Sequence, residues 1–254
     1  MEIVAIKAFK DNYVWTLRDA RHAAVVDPGE AAPVLDYLSR ENLRLVAILA
    51  THHHPDHVGG IGELLTRFRV PVFGPKNEPI ATLTQPVSEG DRVAIPELGL
   101  TFDVLDIPGH TRAHVAYYGA GALFCGDTLF ACGCGRLFEG TAEQMYRSLS
   151  KLAALPDETK VYCGHEYTLA NIGFAKAVEP ANRALSAREA RDQKLREAGK
   201  PTLPTTIGHE KAVNPFLRVG DAAIQSTLAA HFNHPVSDRL DAFRLMRGWK
   251  DKFR

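Results

Sequence analysis

Nowhere in the chain is there an uninterrupted apolar run of about 18 residues or more, so no membrane-spanning helix is expected. The opening Met-Glu-Ile-Val-Ala-Ile-Lys does not have the cation-then-apolar layout of a secretory leader and enters strand-like pattern at once, so no leader is expected either. Charge of one sign is also missing: 30 lysines and arginines offset 30 aspartates and glutamates. A chain without a global field does not draw in nucleic acid or an anionic membrane, and any anionic small molecule must be held by a local cluster. Cysteine is scarce, with four in all. Cys132 and Cys134 are separated by a single glycine, a spacing that suits neither an easy disulfide nor a recurrent zinc knuckle. Reduced, loop-packing thiols in a cytoplasmic protein are the expectation. No repeat and no low-complexity tract is present.

What is present is a chain of 254 residues, 45% of them hydrophobic, ample for one sizeable core with or without an appendage. Up to about Gly164 the pattern is β-rich with a few helices. Strands are predicted at Ile3–Ala8, Tyr13–Leu17, Ala23–Val26, Leu45–Ala50, Val72–Phe73, Arg92–Ile95, Leu100–Ile107, Val115–Tyr118, Ala122–Cys125 and Val161–Cys163. Helices are predicted at Ala31–Ser39, Val58–Phe68 and Thr141–Ala153, the last beginning with a capping-box-like Thr-Ala-Glu-Gln. After Tyr167 the character changes to helix formers, at Leu169–Val178, Ala184–Ala198, Ala222–Phe232 and Ser237–Lys250, with a polar, proline-bearing stretch over Gly199–Pro215. The fold class is therefore α/β, with an α/β domain over 1–168 and a small helical domain over 169–254.

The chemistry is concentrated in Thr51-His52-His53-His54-Pro55-Asp56-His57, directly after the apolar Leu45–Ala50 run. Histidine supplies neutral imidazole ligands and aspartate a hard oxygen, the mixture that suits zinc, iron or manganese. So dense a group cannot share one face of a strand or helix, but a loop leaving a buried strand can turn it towards a common site. Three further residues strengthen the pattern. His110 follows Ile107-Pro108-Gly109, Asp127 follows Cys125-Gly126, and His165 follows Cys163-Gly164, each after a strand run and a glycine whose backbone freedom re-aims the next side chain.

His-x-His-x-Asp-His followed by separated His, Asp and His resembles the metallo-β-lactamase superfamily, an αββα sandwich of two facing sheets flanked by helices. The resemblance implies His52, His54 and His110 on one divalent ion, Asp56, His57 and His165 on a second, and Asp127 bridging the two. Zinc is the first expectation for both ions, with iron or manganese as alternatives. A hydroxide bridging the metals would be the nucleophile, with Asp56 able to accept its proton. His53 matches a position that faces away, and Asp27, in Val-Val-Asp-Pro-Gly, one that orients a ligand histidine. His22 and His114 lie in or beside strands and are expected to be structural or solvent-facing.

Gly126-Asp127-Thr128-Leu129-Phe130, Gly133-Cys134-Gly135-Arg136, Phe138-Glu139-Gly140-Thr141, Cys163-Gly164-His165-Glu166-Tyr167-Thr168, Val178-Glu179-Pro180 and Asn214-Pro215-Phe216-Leu217-Arg218 narrow the resemblance further. In that order they are similar to the glyoxalase II family, hydrolases of S-(2-hydroxyacyl)glutathione thioesters. That likeness implies a helical, glutathione-binding C-terminal domain and a monomer. Arg136, Phe138, Tyr167, Arg247 and Lys250 would contact the peptide, with Arg247 and Lys250 clamping its glycine carboxylate. Phe138 departs from the family, many of whose members carry tyrosine there. A persulfide dioxygenase of the same superfamily uses one iron, whereas the complete ligand set and helical tail here resemble the two-metal thioesterase.

Overall fold

The computed structural model describes residues 2–253. They form two compact units, one of residues 2–106, 113–126 and 162–166, the other of residues 107–112, 127–161 and 167–253.

The first unit is built on two sheets. One has the order β1-β2-β3-β4-β5-β6, from β1 (Glu2–Ala8), β2 (Asn12–Arg18), β3 (His22–Val26), β4 (Arg44–Leu49), β5 (Val72–Pro75) and β6 (Gln85–Val87). Its first three strands are antiparallel, and β3 through β6 run parallel. Parallel neighbours are buried on both faces, which explains the continuous apolar Leu45–Leu49 run. Helices α1 (Ala32–Arg40), α2 (Pro55–Val58) and α3 (Ile61–Arg67) belong to the crossovers. Val34 and Leu38 of α1 and Ile61 and Leu64 of α3 join Ile6, Val14, Val25 and Ile48 in one buried apolar cluster.

The second sheet contains the meander β7 (Arg92–Ile95), β8 (Leu100–Asp106), β9 (Val115–Gly119) and β10 (Ala122–Gly126), with β13 (Lys160–Cys163) beside β10. Ala120 and Gly121 both have positive φ, the twist-matched geometry of a two-residue hairpin, at the predicted Gly-Ala-Gly turn. Trp15 donates to the Cys163 carbonyl at 2.9 Å and meets Tyr162 edge-on, linking the two sheets.

The second unit contains the hairpin β11 (Leu129–Phe130) and β12 (Gly133–Cys134), and α4 (Ala142–Ala153). Helix α4 starts with a complete capping box between Thr141 and Gln144. After it come α5 (Thr168–Val178), α6 (Arg183–Glu197), β14 (Thr205–Thr206), α7 (Ile207–Val213), α8 (Ala222–Phe232) and α9 (Arg239–Lys252).

Three sequence expectations are corrected. The helix placed over Val58–Phe68 is two helices, broken at Gly59-Gly60, where close approach of the Gly29 and Pro28 carbonyls leaves no room for a β-carbon. The stretch Gly199–Pro215 is not simply polar connection but holds β14 and α7, the latter capped by the Thr206 side chain. Strands do not end at Cys163, because β14 pairs with Lys160–Val161.

Candidate active site

The first unit gathers the histidine cluster at the end of β4. Asp27, just beyond β3, sits in the left-handed region at φ 53°. From there its carboxylate accepts the Thr51 N–H and hydroxyl, each at 2.7 Å, which fixes where the chain leaves β4. Pro55 then occupies the first position of α2, where its fixed φ and missing N–H cost nothing, so Asp56 and His57 fall in one helical turn. Nδ1 of His57 lies 3.0 Å from the Asp27 carboxylate, and Nδ1 of His165 lies 2.9 Å from that of Asp11. A carboxylate on Nδ1 holds the proton there and leaves the Nε2 lone pair for a metal.

Asp56 completes the group. Its Oδ2 is 3.6 Å from His57 Nε2 and 3.4 Å from His165 Nε2, and it accepts from Asn12 Nδ2 at 3.0 Å. Ligand atoms about 2.0–2.2 Å from a tetrahedral ion stand roughly 3.3–3.6 Å apart, so this group has the spacing a divalent metal needs. The donor chemistry, two imidazoles and a carboxylate, fits as well.

His52 is fully buried, with Nδ1 3.0 Å from the Thr51 hydroxyl and Nε2 3.2 Å from His54 Nδ1. His114 stacks on it at 4.5 Å and has its own Nδ1 3.0 Å from the Val115 carbonyl. That contact makes His114 a wall of the histidine cluster. His22, by contrast, sits at the surface beside Asp19. The His53 backbone N–H and ring both meet the buried Glu78 carboxylate, whose other oxygen accepts from Ala113 N. Gly126 closes the floor: a β-carbon there would fall 2.3 Å from the Thr51 hydroxyl and 2.8 Å from the His114 ring.

In the second unit, His110 and Asp127 come together. His110 Nε2 lies 3.5 Å from Asp127 Oδ2, and His110 Nδ1 donates to the Arg136 carbonyl at 2.8 Å. This again leaves Nε2 for a metal. Gly135 is required here, since a β-carbon would sit 1.9 Å from the Asp127 carbonyl. The exposed Phe138 ring meets His110 edge-on at 5.3 Å and lies 5.9 Å from the Arg136 guanidinium. Tyr167 is partly exposed with its ring 5.3 Å from Phe130.

Arg247 and Lys250 differ in their surroundings. Arg247 is buried, donates to the Cys134 carbonyl at 2.9 Å and pairs with Asp251 at 3.0 Å. Arg136 meets the same Asp251 oxygen at 3.4 Å. Lys250 is half-buried, 3.4 Å from the Ala170 carbonyl and 5.3 Å from the Phe174 ring. Burial, and then the neighbouring Arg247 guanidinium, lower the pKa of its ammonium. All four cysteines are free thiols and buried, and burial pushes the Cys132 and Cys134 thiols up, away from nucleophilic character.

Residues 166–253 match the sequence model of the hydroxyacylglutathione hydrolase C-terminus, and residues 10–165 that of the metallo-β-lactamase superfamily. Among curated relatives, the hydroxyacylglutathione hydrolase of Nitrosomonas eutropha is 51% identical over 253 residues, covering 100% of this chain and 99% of its own. That of Cupriavidus metallidurans is 54% identical over 266 residues, covering all of both chains. The chain belongs to the hydroxyacylglutathione hydrolase family. ETHE1 from Myxococcus xanthus is a solved relative with a TM-score of 0.67 at 28% identity over 96% of each chain. TTHA1623, solved in a di-iron-bound form, has a TM-score of 0.61 at 26% identity, over 85% of this chain and all of its own. The fold expectation therefore holds: a hydroxyacylglutathione hydrolase-type helical segment follows a metallo-β-lactamase fold, and its histidine-aspartate cluster is a divalent-metal site. No helix among the described residues is long and apolar enough to cross a membrane.

Several supporting residues were not singled out from sequence. Asp11 and Glu78 from turns, and Asn12 from the first position of β2, reach the cluster from far away along the chain, where no periodicity marks them.

Proposed function

We infer that this chain hydrolyses S-(2-hydroxyacyl)glutathione thioesters, S-D-lactoylglutathione foremost, to glutathione and a 2-hydroxy acid such as D-lactate. This is the second step of methylglyoxal detoxification, carried out by a cytoplasmic monomer. The observation that carries the reading is the hydroxyacylglutathione hydrolase C-terminal match over 166–253, following a metal-site fold suited to hydrolysis.

His52, His54 and His110 would hold one divalent ion, Asp56, His57 and His165 a second, with Asp127 shared between them. Zinc is the first choice, and iron and manganese suit the same donors. When bound, such ions supply Lewis acidity and a solvent nucleophile available at neutral pH, by lowering the pKa of water from 15.7 to about 7. The chain's own part is orientation. Asp27, Asp11 and the Arg136 carbonyl hold the Nδ1 protons of His57, His165 and His110, so each ring presents Nε2. Asp56, whose carboxylate oxygen lies within 3.6 Å of two imidazoles, would take a proton from the attacking water. A thiolate leaves without a dedicated general acid, because the free cysteine thiol pKa is only about 8.5. This explains why a site made of ligands suffices.

Residues 169–254 would bind the peptide. Arg136, Tyr167 and Lys250 offer polar groups to it, Phe138 an apolar edge, and Arg247 a guanidinium behind the Cys134–Gly135 backbone that also aids the glycine carboxylate. The test is steady-state loss of thioester absorbance with S-D-lactoylglutathione and metal-replete protein. Turnover with KM in the range of about 1 μM to 1 mM is expected. Absence of turnover with metal bound would discard the substrate.

A further inference from the structure

The hairpin between β11 and β12 turns through Ala131 and Cys132, and this turn is buried: Ala131 is 1% exposed and Cys132 0%. Turns belong at the surface because water satisfies their backbone groups. This one has a second cost. Of its two central residues only Cys132 has positive φ, at 56°. The turns that match strand twist need positive φ at both positions or at the first, as the Ala120-Gly121 hairpin has at both. A non-glycine residue in the left-handed region persists only when its surroundings over-determine it.

Those surroundings are buried side chains from distant parts of the chain. Glu210 Oε2 accepts the Cys132 N–H at 2.8 Å and Asn214 Nδ2 at 3.0 Å. Asn214 Nδ2 also donates to the Phe130 carbonyl at 3.0 Å and the Gly133 carbonyl at 2.9 Å, and Asn171 donates to the Ala131 carbonyl at 3.1 Å. Glu210 Oε1 accepts from the Thr205 hydroxyl at 2.7 Å and from Arg188, which also bonds Asp192 at 3.0 Å. Arg188, Asp192 and Glu210 are all buried. A buried ion triad is weak as a source of stability, since desolvation offsets its attraction. What this one does is hold an acceptor-only carboxylate against the turn.

The turn lies between two functional points. Thr128 and the two β11 residues, Leu129 and Phe130, join Asp127 to it, and Arg136, whose carbonyl fixes His110, follows it. We propose that Glu210, together with Asn214, is a positioning residue for hydrolysis, holding the buried Phe130–Gly133 turn so that Asp127 and the His110-orienting Arg136 carbonyl keep their places. This rests on the function proposed above.

The experiment compares Glu210→Gln with Asp192→Asn in the full, metal-replete chain. Each removes one buried carboxylate from the same triad, but only Glu210 touches the turn. Glutamine directs its oxygen to Arg188, which turns its NH2 onto the Cys132 N–H and the Asn214 amide, donor against donor. Glu210→Gln is expected to lower kcat about tenfold or more with KM changed less than about threefold, as a small misplacement of reacting groups does. It should weaken zinc affinity in chelator competition about tenfold, and speed hydrogen exchange at the Cys132 amide. Asp192→Asn should lower Tm while kcat, zinc affinity and Cys132 exchange stay at wild-type values. Asn214→Ser, which keeps a cap for Phe216 N but loses the donors to the turn, repeats the test if Glu210→Gln does not fold. Wild-type kcat and zinc affinity in Glu210→Gln or Asn214→Ser, or equal losses in the two carboxylate variants, overturn the proposal. Should the wild-type chain fail to cleave the thioester, the proposed function falls, while zinc affinity and Cys132 exchange still decide this inference.

Discussion

The Asp27 carboxylate lies 3.0 Å from His57 Nδ1 while the same group accepts two hydrogen bonds from Thr51. One side chain thus sets both the exit of the chain from β4 and the orientation of a candidate metal ligand. Asp27→Asn keeps a residue that tolerates the left-handed backbone but removes the charge from the imidazole. Metal affinity should fall by about 10–100-fold, the usual cost of losing such a partner. Chelator competition followed by metal analysis measures it, and wild-type affinity in this variant would mean that Asp27 is only a turn former.

Arg247 and Lys250 should respond differently to removal, although they are three residues apart on α9. Arg247→Ala leaves the buried Cys134 carbonyl without its donor, so a loss of about 1–3 kcal/mol in stability accompanies any rise in KM. Lys250→Met replaces the ammonium, 5.3 Å from the Phe174 ring, by an apolar end of similar reach and should raise KM with kcat and Tm nearly unmoved. Denaturant melts and steady-state kinetics on the pair separate the roles, and unchanged KM in both would remove them from the glutathione site.

The lowered pKa of Lys250 gives a pH signature with two opposite signs. Its ammonium is lost at lower pH than that of an ordinary lysine, so KM should climb with pH in a window that starts below about 10.4. The unfolded chain keeps its proton through that window, binding more protons than the folded one, so Lys250's contribution makes unfolding free energy rise with pH there. Lys250→Met should abolish both trends. Replacing Arg247 by Met removes a repelling cation and should move the KM rise to higher pH. KM profiles that coincide for the wild-type and Lys250→Met proteins would show that the ammonium does not bind substrate.

Much of this was legible in the chain, for identifiable reasons. The His52–His57 cluster and the Asp127 and His165 segments are local patterns after apolar strand runs, and Thr141-Ala-Glu-Gln forms the capping box that its spacing implies. The helix Ala222–Phe232 appears where its alanine- and leucine-bearing run of helix formers was expected to fold. Helix α7 did not show because seven residues are too few for periodicity, its one local mark being Thr206 capping the His209 N–H. Glu78, Asp11 and Glu210 act across 25, 154 and 78 residues of sequence, and no local pattern encodes such pairings. Arg188 does not stand out on its polar helix, because beside its i,i+4 partner Asp192 its burial depends on Glu210, which meets it only in the fold.

That burial leads to a stability prediction. Arg188 stands between Asp192 and Glu210, and Arg188→Met leaves the buried Glu210 carboxylate without its cation, while Asp192 keeps Arg191 at 2.7 Å. Breaking a buried pair in this way costs about 3–5 kcal/mol. Urea denaturation should show it, and a Cm within error of wild type would mean that water reaches the Glu210 carboxylate.

Phe138 offers a gain rather than a loss. Its ring is 60% exposed, lies edge-on to His110 and is flanked by Arg136, so its outer edge is open to a ligand. Phe138→Tyr adds a hydroxyl at that edge without crowding a core. A single hydrogen bond to the peptide contributes about 0.5–1.5 kcal/mol, so KM should fall roughly two- to twelvefold. Because that bond would form equally in the bound substrate and in the transition state, kcat should hold. A lower KM with constant kcat places the phenol oxygen on glutathione. An unchanged KM means that the bound peptide passes the Phe138 ring out of hydrogen-bond reach, and that Arg136, Tyr167, Arg247 and Lys250 must fix it without a group at position 138.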